Sequence, residues 1–421
     1  MSITSGQSYL VGLIIGEQDY SADLVDVTII SSLASYYPVI TLKFNTDPDN
    51  VILNNKLYGQ EYITLIIVLQ GWDGEGLIPE YQTLMFELMH LNDNLDLPIK
   101  TMIMKDNDNE RVPTPRTVEI TTICRKPFKT ISTLVNDVQT NIPIDVLIKG
   151  IISENTTAIL EMDEEGINAF PLDQVCIPPS TVGNMFKYLD STFGIYNGVS
   201  SIFCNHTNTL QVFNLTNRMK KDVVFTIHQL ASDGDNEKLT SKGLNPKVFY
   251  TMAEVKTDYK ANSKFSVYAR TLKYVVKPKD TLSYTIVNDL KGIAKDYGLI
   301  DFTHPTSDPE FFLDEIITDK RMHYYTDQTG NDYSPVFINA NHSKPLSNLF
   351  TLKIGLARSM FLTNLLRIGE PVKFDTEIVD YRRFTGKYIL TSSVLTFTKE
   401  NYDWSAGCFV TLARTNKSIL N

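Results

Sequence analysis

The chain has 421 residues, 43% of them hydrophobic and 21% charged, with a formal net charge of −10. That length exceeds what one hydrophobic core serves and points to about two to four domains. The acidic balance argues against a chain that grips nucleic acid, since duplex binding rests on Lys and Arg against phosphates, and no apolar run reaches the ~18–20 residues that cross a bilayer.

Residues 8–72 read as β. Leu24, Val25, Val27 and Ile29 form one run, Ile40, Leu42 and Phe44 alternate with Thr41 and Lys43, and Tyr62–Gln70 is a longer apolar strand. Asp47-Pro48-Asp49-Asn50 is turn chemistry. Tyr81, Leu84, Met85, Leu88 and Leu91 then recur at helical spacing behind Pro79, which predicts a helix. Strands are expected again at Ile99–Met104 and Arg116–Ile123. A β-barrel carrying one helix would account for this first unit.

From Arg125 the composition shifts, and amphipathic helices are expected at Phe128–Val138 and Pro143–Ile152. Pro178 and Pro179 should stop what precedes them. Ser180 is the expected N-cap of a helix whose apolar face is Val182, Met185, Phe186 and Leu189. Gly194 and Gly198 should end it, and a hairpin of Ser201–Cys204 and Thr209–Leu215 should follow around Asn205-His206-Thr207-Asn208.

Residues 231–344 read as a long polar insertion. Strands are expected at Lys247–Tyr250, Lys264–Arg270 and Lys273–Lys277, and helices at Leu282–Tyr297 and Pro309–Thr318. The final segment returns to β at Pro371–Val379, Lys387–Thr398 and Cys408–Arg414, with turns at Thr385-Gly386 and Ala406-Gly407.

Ile177-Pro178-Pro179, Tyr188-Leu189-Asp190 and Phe193-Gly194-Ile195-Tyr196-Asn197-Gly198 resemble the middle of the baseplate hub proteins of contractile-tailed phages, the T-even hub family. Gly369–Phe374 and Phe384–Tyr388 are similar to the closing strands of the phage tube-type barrels. The resemblance implies a mixed α+β, mainly β fold: two tube-type antiparallel β-barrel domains plus α/β side domains. Its expected division is 1–124 as the first barrel and 125–198 as a helical side domain. Residues 199–230 plus 345–421 would form the second barrel, and 231–344 a mixed α/β insertion domain. It implies a structural virion protein of the tail baseplate, made in the host cytoplasm. As a homotrimer it would join a six-fold tail tube to a three-fold central spike. The implied partners are tail-tube or tube-initiator proteins, the spike, and a wedge or sheath assembly. DNA would pass through without specific binding, because a negative wall repels phosphates.

Catalytic chemistry is sparse. No G-x-S-x-G, P-loop, G-x-G-x-x-G after a strand, or H-E-x-x-H is present, so no enzyme is expected, and no catalytic, cofactor-binding or metal residue is assigned. Asp106-Asn107-Asp108-Asn109-Glu110 opens like a calcium loop but has Arg111 where glycine is needed and Thr117 where the bidentate Glu belongs. The alternative function is a glycan or peptidoglycan hydrolase using a carboxylate pair from Glu310, Asp314, Glu315 and Asp319 in the insertion. Those residues equally fit the polar face of a helix. His206 and His342 sit in turns, where solvent exposure is the default over a ligand or pH-switch role. Phe265, Tyr268, Tyr274 and Tyr284 fit core or subunit packing better than base stacking, because no basic stripe lies beside them. Cys124, Cys176, Cys204 and Cys408 are too scattered for zinc and read as inert thiols in a reducing compartment. The start, Met1 to Gly6, lacks the pattern of a secretory signal, so the Asn-X-Ser/Thr matches read as chance.

Overall fold

Alternation of apolar and polar side chains writes the first strands, because a strand turns successive residues to opposite faces. The computed structural model describes residues 7–46, 62–71, 82–93, 116–167, 171–196, 200–230, 248–251, 256–259, 275–276, 323–324, 349–357, 366–400 and 403–415. The first strands are β1 (Gln7–Ile15), β2 (Gln18–Asp19), β3 (Leu24–Ser32), β4 (Val39–Thr46), β5 (Ile63–Gly71), β6 (Gln82–Asp93) and β7 (Arg116–Cys124). Leu13, Ile29, Phe44, Leu65 and Phe86 are fully buried on one face of the sheet they build.

The middle of the chain gives α1 (Arg125–Ser132), β8 (Leu134–Pro143), α2 (Ile144–Asn155), β9 (Ile159–Met162), β10 (Pro171–Thr181) and α3 (Val182–Thr192). The hairpin β11 (Ser200–Cys204) and β12 (Thr209–Asn214) follows, then the short α4 (Leu215–Arg218) and β13 (Phe225–Gln229). Beyond it lie β14 (Val248–Thr251), β15 (Lys256–Tyr259), β16 (Val275–Val276), β17 (His323–Tyr324) and β18 (Leu349–Ala357). The chain closes with β19 (Pro371–Thr376), a 3-10 turn at Val379–Phe384, β20 (Gly386–Glu400) and β21 (Asp403–Thr415). The fold is mainly β.

Strand pairing joins the two ends of the chain. β3, β4, β7, β6, β5 and β1 are antiparallel neighbours in that order. β1 then meets β21 at Tyr9 opposite Trp404, β21 pairs with β20, and β20 returns to β3 from Ser392–Ser32 to Thr398–Asp26. These pairings close a circuit. Its interior is filled by side chains, as expected when about eight strands close on themselves. A second run, β14–β13–β19–β20–β21–β18–β15, uses the same β20–β21 hairpin.

One bulge lets β20 serve both runs. Before it, Gly386–Ile389 pairs with β19; after it, Ser392–Thr398 pairs with β3. The register shift falls between Leu390 and Ser392, and the extra residue, Thr391, donates its hydroxyl to the Thr411 carbonyl at 3.0 Å. An inserted residue reverses which side chains face inward. Tyr388 and Leu390 are buried ahead of it, Ser393, Leu395 and Phe397 after it.

A second core gathers Ile148, Ile151, Val182, Phe186 and Leu189 from α2 and α3 with Val135 and Val175 of the β8–β10 ribbon. The β11–β12 hairpin lies between the cores. Phe203 and Phe213 point into the first, while Cys204, Leu210 and Val212 point into the second.

Several expectations need correction. Of the stretch read as a helix, residues 82–91 lie in β6. The helix expected over Phe128–Val138 stops at Ser132 and gives way to β8, whose Val135 and Val138 are β-branched. Pro178 and Pro179 do not end β10 but sit in its bulge between Ile177 and Ser180, where a missing N–H costs no ladder bond. Thr181, not Ser180, caps α3, accepting from the Asn184 N–H at 3.3 Å. Ala406-Gly407 lies inside β21, and the chain reverses instead between Glu400 and Asp403. The expected hairpin forms as β11–β12, and β12 pairs with β9, in parallel, from Thr209–Ile159 to Val212–Met162. The helix at Pro143–Ile152, the helix carrying Val182 and Leu189, and the closing strands lie where expected, within a few residues.

Candidate assembly faces and the ionic seam between the cores

The β9–β12 pairing carries Asp163 to the boundary of the two cores, where its N–H donates to the Val212 carbonyl at 3.1 Å. Its carboxylate accepts from Arg218 Nε at 2.9 Å, from Lys221 Nζ at 2.6 Å and from the Asn214 N–H at 3.1 Å. Arg218 reaches on with Nη1 to Glu370 Oε1 at 2.7 Å, just ahead of β19. Its guanidinium carbon stands 4.5 Å from the centre of the Phe213 ring. Three separate chain segments are thereby tied through one arginine. Burial opposes the charge on Asp163, but hydrogen bonds and positive charge from Arg218 and Lys221 outweigh it and hold the carboxyl below its ordinary value. Burial likewise opposes the charge on Arg218, and Asp163 and Glu370 overcome it.

Gly369 completes the seam. Its φ is +85°, and a Cβ there would lie 2.6 Å from the Phe213 ring. Only glycine combines that conformation with that approach.

Two apolar areas face outward from the eight-strand circuit. In register across β21, β20, β3 and β4 stand Phe409, Val394, Ile30 and Val39. Phe409 is 61% exposed and forms the crest of this ridge. Lys353, exposed on β18, faces Thr411 two residues further along β21. The second area is a groove of about 910 Å³ on the outer face of β1 and β5. Leu10, Ile14, Ile66 and Val68 make its floor; Asp19 and Ser21 wall one side, and Lys399, Asp403 and Trp404 the other. Met85 of β6, 55% exposed, extends the floor opposite Ile66.

His206 is not the solvent-facing turn residue expected. Its ring is half-buried, 4.9 Å from that of Phe86, and burial lowers its proton affinity. Cys124, Cys204 and Cys408 are buried free thiols and Cys176 is an exposed one; burial pushes Cys204 up to about 12. Glu310, Asp314, Glu315, Asp319, the Asp106–Glu110 loop, His342 and the aromatic set from Phe265 to Tyr284 lie outside the described residues. Among the described residues no three His, Cys, Asp or Glu side chains gather as a metal site, and no helix is long and apolar enough to cross a membrane. The seam was missed in the sequence because Asp163, Arg218 and Glu370 are far apart along it, with no motif spacing.

No protein-family model matches the sequence, and no curated protein does. Among solved structures, the 43 kDa tail protein of prophage MuSo2 from Shewanella oneidensis aligns over 98% of this chain and 99% of its own, with a TM-score of 0.53 and 9% identity. The chain shares that tail protein's fold. At such identity no residue role comes with it. A tail protein from Neisseria meningitidis MC58 covers 96% of each chain at a TM-score of 0.46 and 10% identity. A Francisella PdpA–VgrG complex covers 97% of this chain and 58% of its own at 0.44 and 11%. These two likenesses are too slight to argue from.

Proposed function

We propose that the chain is a structural protein of a phage tail, and within the tail the baseplate hub. The observation that carries this reading is a fold shared with a tail protein over nearly the full length of both chains. In this reading the two strand runs joined at β20–β21 are tube-type barrels. Residues 1–124 with the shared hairpin make the first, and 225–230 with 345–421 the second. Residues 125–198 extended by the β11–β12 hairpin make the side domain, and 231–344 is the inserted domain.

Three copies, each with two barrels, present six wall elements about one axis and so adapt a six-fold tail tube to a three-fold spike. The partners are the tube or tube-initiator proteins above, the spike below, and the wedge or sheath around them, in a contractile tail. Within one chain the first circuit is packed solid, so the passage for DNA is the space enclosed by the ring. The net charge of −10 suits a wall along which phosphates slide. The role is mechanical and not enzymatic.

Native mass spectrometry with negative-stain imaging of the purified chain tests this. A three-fold ring with a central hole is expected, with an intersubunit area above about 2,000 Å². A persistent monomer that clears cell-wall suspensions, with clearing abolished by Glu315→Gln, would replace the hub by a hydrolase.

A further inference from the structure

We propose that the Phe409 ridge of one copy seats in the groove between β1 and the β20–β21 tip of the next copy. This contact names the subunit interface of the ring proposed above and rests on that ring. Both surfaces lie on the outer face of one eight-strand circuit, and their shapes oppose: a crest at Phe409 and Ile30, and a trough floored by Leu10, Ile66 and Val68. An apolar crest and an apolar trough left in water on one chain are the marks of a contact surface.

The charges select the pairing of crest with trough. The ridge is bordered by Lys353, while both walls of the groove carry carboxylates, Asp19 and Asp403. Lys399 in the groove wall is already engaged, donating to the Ala22 carbonyl at 2.7 Å. A second copy therefore brings a cation to a carboxylate-lined site as its aromatic crest meets the apolar floor. Rim charge of this kind orients an encounter more than it strengthens it. Between these surfaces the outer faces of β20 and β3 carry Thr396 opposite Thr28 and Thr398 opposite Asp26, all of them small side chains. Because donor and acceptor surfaces differ, the contact is head-to-tail and propagates until it closes.

The test uses full-length chain with Phe409→Asp as the ridge variant and Leu10→Asp as the groove variant. Leu10 is 53% exposed and Phe409 61%, so neither change enters the core; matching far-UV spectra and unfolding midpoints verify folding. Native mass spectrometry should find wild type as a trimer and each variant alone at the single-chain mass of 47.7 kDa. Mixing the variants should give a dimer and nothing larger, because one intact ridge then meets one intact groove. A reversed charge, Lys353→Glu, should weaken assembly and Asp403→Lys should restore it. Variants that remain trimeric would overturn this contact and leave the ring standing. A wild-type dimer with the same mixing behaviour would support the contact and remove the ring. A monomeric wild type would remove both.

Discussion

Arg218 is the side chain on which most of the seam depends. It is 9% exposed, and so holds two carboxylates largely out of water. Removing one partner of a buried ion pair leaves the other charge stranded, which costs about 3–5 kcal/mol. Arg218→Met should lower the unfolding free energy by about that much in urea titrations, more than Lys126→Met, whose pair with Glu87 is exposed. Acid should act on the same place. Asp163 titrates below its ordinary 3.8, so its contribution is whole above that value and is lost as pH falls through the lower folded value. Asp163→Asn should flatten the steep acid end of stability against pH. His206 has the same sign in a different window. Its folded proton affinity lies below the ordinary 6.5, so stability is whole above about 6.5 and declines as pH drops below it. His206→Gln should remove that decline in midpoints measured from pH 7 to 5. At Gly369, an alanine must take an unfavourable φ and push on Phe213, and a loss of about 1–3 kcal/mol is expected by the same titration.

At the scale of the element, the informative strands are β20 and β6. Deleting Thr391 removes the bulge, turns Leu395 and Phe397 to the other face, and should leave a chain that does not fold, whereas Thr391→Ala should keep the register and a soluble product. Gel filtration and circular dichroism distinguish the two. β6 shows why part of the fold was illegible. Leu84, Phe86 and Leu88 alternate inward as a strand requires, but Met85 and Leu91 on its outer face are also apolar and more than half exposed. With both faces apolar, period two is masked and the spacing of Tyr81, Leu84, Met85, Leu88 and Leu91 fits a helix equally well. β3, β4 and β5 were read correctly because polar residues such as Thr28, Thr41 and Thr64 interrupt their outer faces. α2 was legible too, since Ile144, Leu147, Ile148, Ile151 and Ile152 keep a helical stripe. Met85, one of the residues that hid β6, extends the floor proposed to receive a second copy; a surface shaped for contact looks like a core to pattern reading.

For the whole molecule, no local pattern encodes that β3 pairs with β20 or β1 with β21. The Thr398 hydroxyl donates to Asp26 across 372 positions of sequence. Residues 1–124 alone would lack two of the eight strands in the circuit. Expressed as a fragment they should be insoluble or unfolded, while co-expression with 366–421 should recover soluble material. A fragment that folded unaided would show the circuit to be dispensable. The side unit, with its own core from Ile131 to Val212, should keep structure over 125–215 when produced alone, as amide exchange would report.

The shared hairpin also sets a clock on biogenesis. β3 emerges from the ribosome up to 372 residues before its neighbour on β20, and at cellular translation speed that gap lasts about half a minute. Throughout it, the flank of β3 that will pair with β20 lacks its neighbour, a template for wrong strands. Only when the last hairpin has been made does the sheet lose that vacant flank. A nascent chain of this kind should therefore lean on holding chaperones until synthesis reaches the last hairpin, and ribosome stalling at 215 or at 386 should give aggregated product where stalling after 415 does not.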